Sequence, residues 1–201
     1  MQRYRPESAL IVVDVQNDFA DPAGSLSVVG GDRIVTTVNA AIALATSGGG
    51  LVVATQDWHP ENTPHFAKDG GTWPVHCVGG TWGAELHPDL ALPDDTPRIR
   101  KGVSGEDGYS GFTMRDPVTE AMLPTELEAL LRARGIGEVV VVGLATDYCV
   151  KATALDARRL GFETVVLTDA IAAVDLVPGD GDRAIEELRG AGIALLGSVL
   201  R

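Results

Sequence analysis

The chain has 201 residues, 45% of them apolar, and carries a formal net charge of −12. That length and apolar share fit one folded domain with a sizeable core and argue against disorder. The acidity argues against nucleic acid or anionic membrane as partners, because phosphate binding needs clustered Lys and Arg. No apolar run approaches the roughly 20 residues of a bilayer span.

In chain order, the opening MQRYRPESALIVVDVQ has charged and polar residues where a secretion signal has its apolar region. The expectation is a cytoplasmic protein. Four β-branched runs read as buried parallel strands: ALIVVDV (9–15), LVVATQ (51–56), EVVVVGL (138–144) and ETVVLTD (163–169). PRIRK (97–101) and GIALLGS (192–198) are weaker candidates. Helical patterns fall between them, at 32–48 from an Asp cap to Gly, and at 124–135, 149–161 and 182–192. Strand alternating with helix predicts an α/β fold, a doubly wound three-layer sandwich on a mostly parallel sheet. From about 57 to 124 the chain is rich in Gly and Pro and reads as long loops.

Ligands in such folds bind outside the carboxyl ends of the strands, where several chemically capable residues fall. Asp14 ends the first strand run. It is either a cap for the following loop or, beside a thiol, a proton acceptor. Lys101 ends RIRK, whose alternation also fits a solvated edge strand. Cys149, in GLATDYCVKATALDARR, falls at a strand–helix join. There helix N–H groups would lower its pKa and hold a nearby oxyanion, with Thr146 and Asp147 as caps; a small buried core cysteine is the plain alternative. Cys77 and Cys149 share no CxxC spacing and are expected to stay thiols in the cytosol.

Three of the four histidines lie within QDWHPENTPHFAKDGGTWPVHC (56–77), with Asp57 two residues before His59. Asp57, His59, His65 and His76 would suit zinc, iron or manganese if they converge, and are ordinary loop residues if they do not. His87 has no such neighbours and reads as structural. A dinucleotide-binding glycine motif, a phosphate loop and a serine elbow are absent.

Four blocks, VVDVQNDF, DWHP…HF…WPVHC, KGVSGEDGYSGF and GLATDYCVKATALDA, together resemble the nicotinamidase (pyrazinamidase) family of the isochorismatase-like cysteine hydrolases. The resemblance spans nearly the whole chain. It implies a single hydrolase domain over 1–201 with a metal-binding region at about 57–90. It further implies hydrolysis of nicotinamide to nicotinate and ammonia through a cysteine thioester, in pyridine nucleotide salvage. Cys149 would be the nucleophile, Asp14 the general base and acid, and Lys101 the cation between them. Asp57, His59 and His76 match the ligands of one divalent metal, zinc first and iron or manganese next, and His65 matches a ligand of some members. Phe19 and Trp73 match aromatics that sandwich the pyridine ring, and Tyr109 the pocket mouth. Ala145 matches an oxyanion-hole donor that follows a cis peptide. The implied partner is a small-molecule substrate, on a monomer or homo-oligomer. An amidase acting on another small amide or carbamoyl compound is the alternative; the metal-loop motif weighs against the carbamoyl version.

Overall fold

The computed structural model describes residues 4–197. The elements are β1 (Ser8–Val13), α1 (Asn17–Ala20), α2 (Gly31–Ser47), β2 (Leu51–Asp57), β3 (Arg98–Lys101), β4 (Thr113–Arg115) and β5 (Met122–Pro124). They continue with α3 (Leu127–Ala133), β6 (Glu138–Leu144), α4 (Lys151–Arg159), β7 (Glu163–Ala172), α5 (Asp180–Gly190) and β8 (Ala194–Leu196). Six strands form one parallel sheet in the order β3-β2-β1-β6-β7-β8. The chain winds outward from β1 in one direction and from β6 in the other, so a crevice opens between the carboxyl ends of β1 and β6.

The apolar strand runs are continuous because both faces are covered. Leu10 and Val12 of β1 pack with Ile34, Val35, Val38 and Ile42 of α2. The alternate residues Ala9, Ile11 and Val13 pack with Leu127 and Leu131 of α3, Ala154 and Ala157 of α4 and Leu188 of α5. This gives the three layers that the strand–helix alternation predicted.

Local boundaries moved for identifiable reasons. The predicted 124–135 helix begins only at Leu127, because Pro124 closes β5 against β4 and the Thr125 hydroxyl accepts the Leu127 N–H. At α2 the cap is Gly30, in a left-handed conformation at φ 83°, and Asp32 lies inside the first turn. The predicted last strand shrinks to Ala194–Leu196, and its end at Ser198 lies outside the described residues, as do both ends of the 1–201 span. No helix among the described residues is long and apolar enough to cross a membrane.

Candidate active site

Strand register assembles half of the site. Asp57 and Lys101 are paired positions at the ends of β2 and β3. In β3 the side chains alternate: Arg98 and Arg100 face solvent, while Ile99 and Lys101 point inward. The solvated-edge reading therefore holds for the arginines and fails for Lys101, which is 1% exposed. Asp14 follows β1 at φ 47°, a left-handed position that Asp tolerates better than most residues. Beside it, Gly143 of β6 has φ 112°, and a Cβ there would lie 2.1 Å from the Val13 carbonyl oxygen, so only glycine lets the two strand ends meet.

These elements bring a thiol, a carboxylate and an ammonium together. Lys101 Nζ lies 2.8 Å from Asp14 Oδ2, 2.7 Å from Asp57 Oδ1 and 3.6 Å from Cys149 Sγ. One oxygen or sulfur each of Asp14, Asp57 and Cys149 falls within 4.8 Å of the others. The Thr55 hydroxyl donates to Asp14 Oδ1 at 2.6 Å and fixes the carboxylate plane.

Cys149 sits in a π-helical turn, Thr146–Val150, that leads into α4, and the Leu144–Ala145 peptide before it is cis. Two expectations fail here. Asp147 does not cap the turn; it accepts N–H bonds from Val174 (3.0 Å) and Asp175 (2.9 Å), tying the segment after β7 to the turn that carries Cys149. The Cys149 pKa is not lowered: burial drives it well above its ordinary value, and Asp14 and Asp57 add to that against the pull of Lys101. Burial also raises Asp14, with Asp57 adding to it against Lys101 and Thr55. For Lys101, burial works against the ammonium, but Asp14, Asp57 and Cys149 outweigh it and hold the pKa well above normal.

The other half of the site lies in the loops. His59, His65 and His76 are buried, and one ring nitrogen of each falls within 4.8 Å of the other two. His65 Nδ1 contacts Asp107 Oδ1 at 2.8 Å and His76 Nδ1 contacts the Pro74 carbonyl at 2.7 Å. Both ring nitrogens of His59 are buried without a hydrogen-bond partner. Such orphaned nitrogens are costly unless something binds them. Burial lowers His59 to about 4 despite Asp57, so the ring stays neutral and able to ligate. The donor set fits a cation of the zinc type. Asp57 stands at the border: its Oδ1 meets Lys101, and its Oδ2 lies 3.9 Å from His59 Nε2. Burial alone would raise its pKa, but Lys101, His59 and His76 bring it to about 2. His65 thus joins the imidazole cluster directly, and Asp57 bridges both halves.

Between the halves is a pocket lined by Phe19, Trp73, Tyr109, Tyr148, Ala145 and Cys149, with His65, His76 and Asp57 on one wall. Trp73 Nε1 donates to Tyr109 Oη at 3.1 Å, and the Tyr148 ring packs edge-on to both aromatics. His87 lies apart and only accepts the Asp89 N–H. Cys77 is a free buried thiol with no disulfide to Cys149.

Sequence reasoning missed the residues that hold the site in place. Gln16 donates to the carbonyls of Asp57 (2.7 Å) and Ala84 (2.9 Å) and accepts the Asp57 N–H at 2.8 Å. Asp18 accepts the Cys77 N–H at 2.7 Å and the Ser25 N–H at 2.9 Å. Both stand in VVDVQNDF, and a run of polar residues directly after a buried strand was the available signal.

A thiol, a carboxylate and an ammonium at the strand-end crevice of a doubly wound sheet define a cysteine-hydrolase type of α/β enzyme. Residues 8–198 match the model of the isochorismatase domain. The chain is 41% identical to the nicotinamidase of Acinetobacter baylyi, over 94% of this chain and 92% of that protein. It superposes on the crystal structure of the pyrazinamidase of Pyrococcus horikoshii in complex with zinc, with a TM-score of 0.85 and 44% identity over 96% and 99% of the two chains. An L. infantum protein in complex with nicotinate gives a TM-score of 0.87 and 41% identity over 97% and 95%. The chain belongs to the isochorismatase family.

Proposed function

We propose that this protein hydrolyses nicotinamide to nicotinate and ammonia, and pyrazinamide in the same way, as a step of pyridine nucleotide salvage. One observation carries the reading. The buried ammonium of Lys101 lies 2.8 Å from Asp14 and 3.6 Å from the sulfur of Cys149, and Cys149 lines the same pocket as His65, His76 and Asp57. The nicotinamidase and pyrazinamidase relatives and the nicotinate complex support the substrate.

Phe19, Trp73 and Tyr109 enclose the aromatic ring and exclude water. Asp14 accepts the Cys149 proton; burial raises its pKa and so its strength as an acceptor, while burial of the thiol works the other way. The sulfur attacks the amide carbon. The N–H groups of Ala145 and Cys149 hold the oxyanion, a contribution of about 3 kcal/mol per donor. Asp14 returns its proton to the departing nitrogen, ammonia leaves, and a thioester remains. Asp14 then takes a proton from water, the resulting hydroxyl adds to the thioester, and nicotinate departs as Cys149 regains its proton. Lys101 stabilises each negative intermediate and keeps Asp14 aligned. His59, His65 and His76, with Asp57 alongside, would hold a zinc ion; iron or manganese suits the same donors. When bound, the metal supplies a Lewis-acid partner that orients the substrate ring.

The unbroken six-stranded sheet supports one catalytic domain for the whole chain. The net charge of −12 supports a small-molecule partner, without nucleic acid or membrane, and the two free thiols fit a cytoplasmic location. Ammonia release from nicotinamide, with and without a chelator, tests the reading. Release that falls on chelation and returns with zinc is expected. Ammonia from a carbamoyl compound and none from nicotinamide would overturn it.

A further inference from the structure

The β4–β5 hairpin lies outside the main sheet and contributes none of the residues assigned above. It nevertheless reaches the imidazole cluster through one carboxylate. Asp107 pairs with Arg115 of β4 through both backbone bonds, at 2.8 and 2.6 Å, and Asp107 Oδ2 accepts from Arg115 Nη2 at 3.2 Å. Asp107 Oδ1 accepts the Gly108 N–H at 2.8 Å and meets His65 Nδ1, also at 2.8 Å. Gly108 has φ 133°, a conformation that lets this turn fold back onto the hairpin.

We propose that Asp107, braced by Arg115, is a positioning residue for the metal: it binds His65 through Nδ1–H and leaves Nε2 as the ligand atom. The inference rests on the reading of the three imidazoles as a metal centre. His76 is held the same way by the Pro74 carbonyl, so two of the three rings have Nδ1 occupied from behind. A carboxylate behind a ligating imidazole fixes the tautomer, fixes the ring plane and raises the donor strength of the free nitrogen. His65 has the stronger partner of the two, a carboxylate whose other oxygen is braced by Arg115 at 3.2 Å. In this chain the hairpin acts as a buttress that makes His65 a ligand.

Zinc dissociation constants, measured by competition with a chromogenic chelator, test this on the full chain and on Asp107→Ala, Asp107→Asn, Arg115→Ala, His65→Ala and, as a control, the exposed Asp94→Asn. Asp107→Ala should weaken zinc by about 10–100-fold. Asp107→Asn, whose amide oxygen still accepts from Nδ1–H, should recover part of that loss. Arg115→Ala should cost less, and Asp94→Asn nothing. His65→Ala should cost at least as much as Asp107→Ala, and the double variant no more than His65→Ala. The visible spectrum of the cobalt-substituted protein should change in Asp107→Ala, which a purely structural contact would leave alone. Zinc affinity within about twofold of the parent in Asp107→Ala would overturn the proposal. If that variant does not fold, the same result in both Asp107→Asn and Arg115→Ala would overturn it. A parent protein that binds zinc with this pattern yet leaves nicotinamide intact would sink the hydrolase reading and leave this one standing.

Discussion

The two halves of the site are held in place by different physics. Asp14, Asp57, Lys101 and Cys149 stand at the ends of strands or just beyond them, where sheet register sets their separation. His59, His65 and His76 stand in loops, where two isolated backbone bridges, His59 with Val78 and Phe66 with Trp73, take the place of a continuous ladder. Their positions depend on those bridges and on single side chains reaching across: Gln16 to Asp57, Asp18 to Cys77, Asp107 to His65. A register-built site is lost only with the sheet, whereas a tethered site loosens one hydrogen bond at a time. Changes to Asp14, Lys101 or Cys149 should therefore alter chemistry at constant metal content, and changes to the histidines, to Asp57 or to their anchors should alter metal and substrate binding first.

The sharpest separation should come from Asp14→Asn, which keeps the shape and removes the proton acceptor. A general acid–base group contributes about 10²–10⁴-fold, so kcat should fall by that factor while zinc content by elemental analysis stays unchanged. Metal loss in that variant would break the division. Gln16→Leu tests the other side. It strips a partner from the Asp57 amide and one from the Asp57 carbonyl, each costing about 1–3 kcal/mol when left buried and unpaired, while the Ala84 carbonyl keeps Gln56 Nε2 at 3.0 Å. A lower Tm, weaker zinc binding and a raised KM are expected, with a smaller change in kcat; a loss confined to kcat would contradict the tether account. The smallest effect is in pH. Asp14 must be ionised to accept the thiol proton, and burial raises its pKa above 3.8. Activity should therefore fall with acid through a limb lying above 3.8, and kcat/KM against pH would reveal a limb at or below that value if the carboxylate were solvated.

Much of this was legible in the sequence because the strands are. ALIVVDV, LVVATQ and EVVVVGL are apolar on both faces, and the doubly wound fold then places whatever follows each strand at one edge. That rule made Asp14, Asp57 and Cys149 candidates, each with a plain alternative, and their roles came from the family resemblance. Lys101 was ambiguous, because RIRK alternates like an exposed edge, and only the register against Asp57 turns its side chain inward. The histidine loop showed the ligand types but not their convergence, since loop geometry comes from contacts that leave no period in the sequence. The Cys149 expectation failed for a related reason. Position beside a helix start is visible in a sequence, whereas complete burial between two carboxylates is not, and here burial dominates. Asp107 was invisible as an anchor because one polar residue in a loop looks like any other, and Gln16 was signalled only by the polar run that follows the first strand.

Ammonia release from nicotinamide by zinc-loaded Cys149→Ala tests the central claim most directly. Removing a nucleophile of this kind costs about 10⁶-fold in kcat. The account predicts that the fold and zinc content persist and that ammonia release falls to near the uncatalysed level. Release within about tenfold of the parent rate, roughly 1.4 kcal/mol of barrier, would mean that another group attacks the amide and that the gathering of thiol, acid and amine at this crevice is not the catalytic centre.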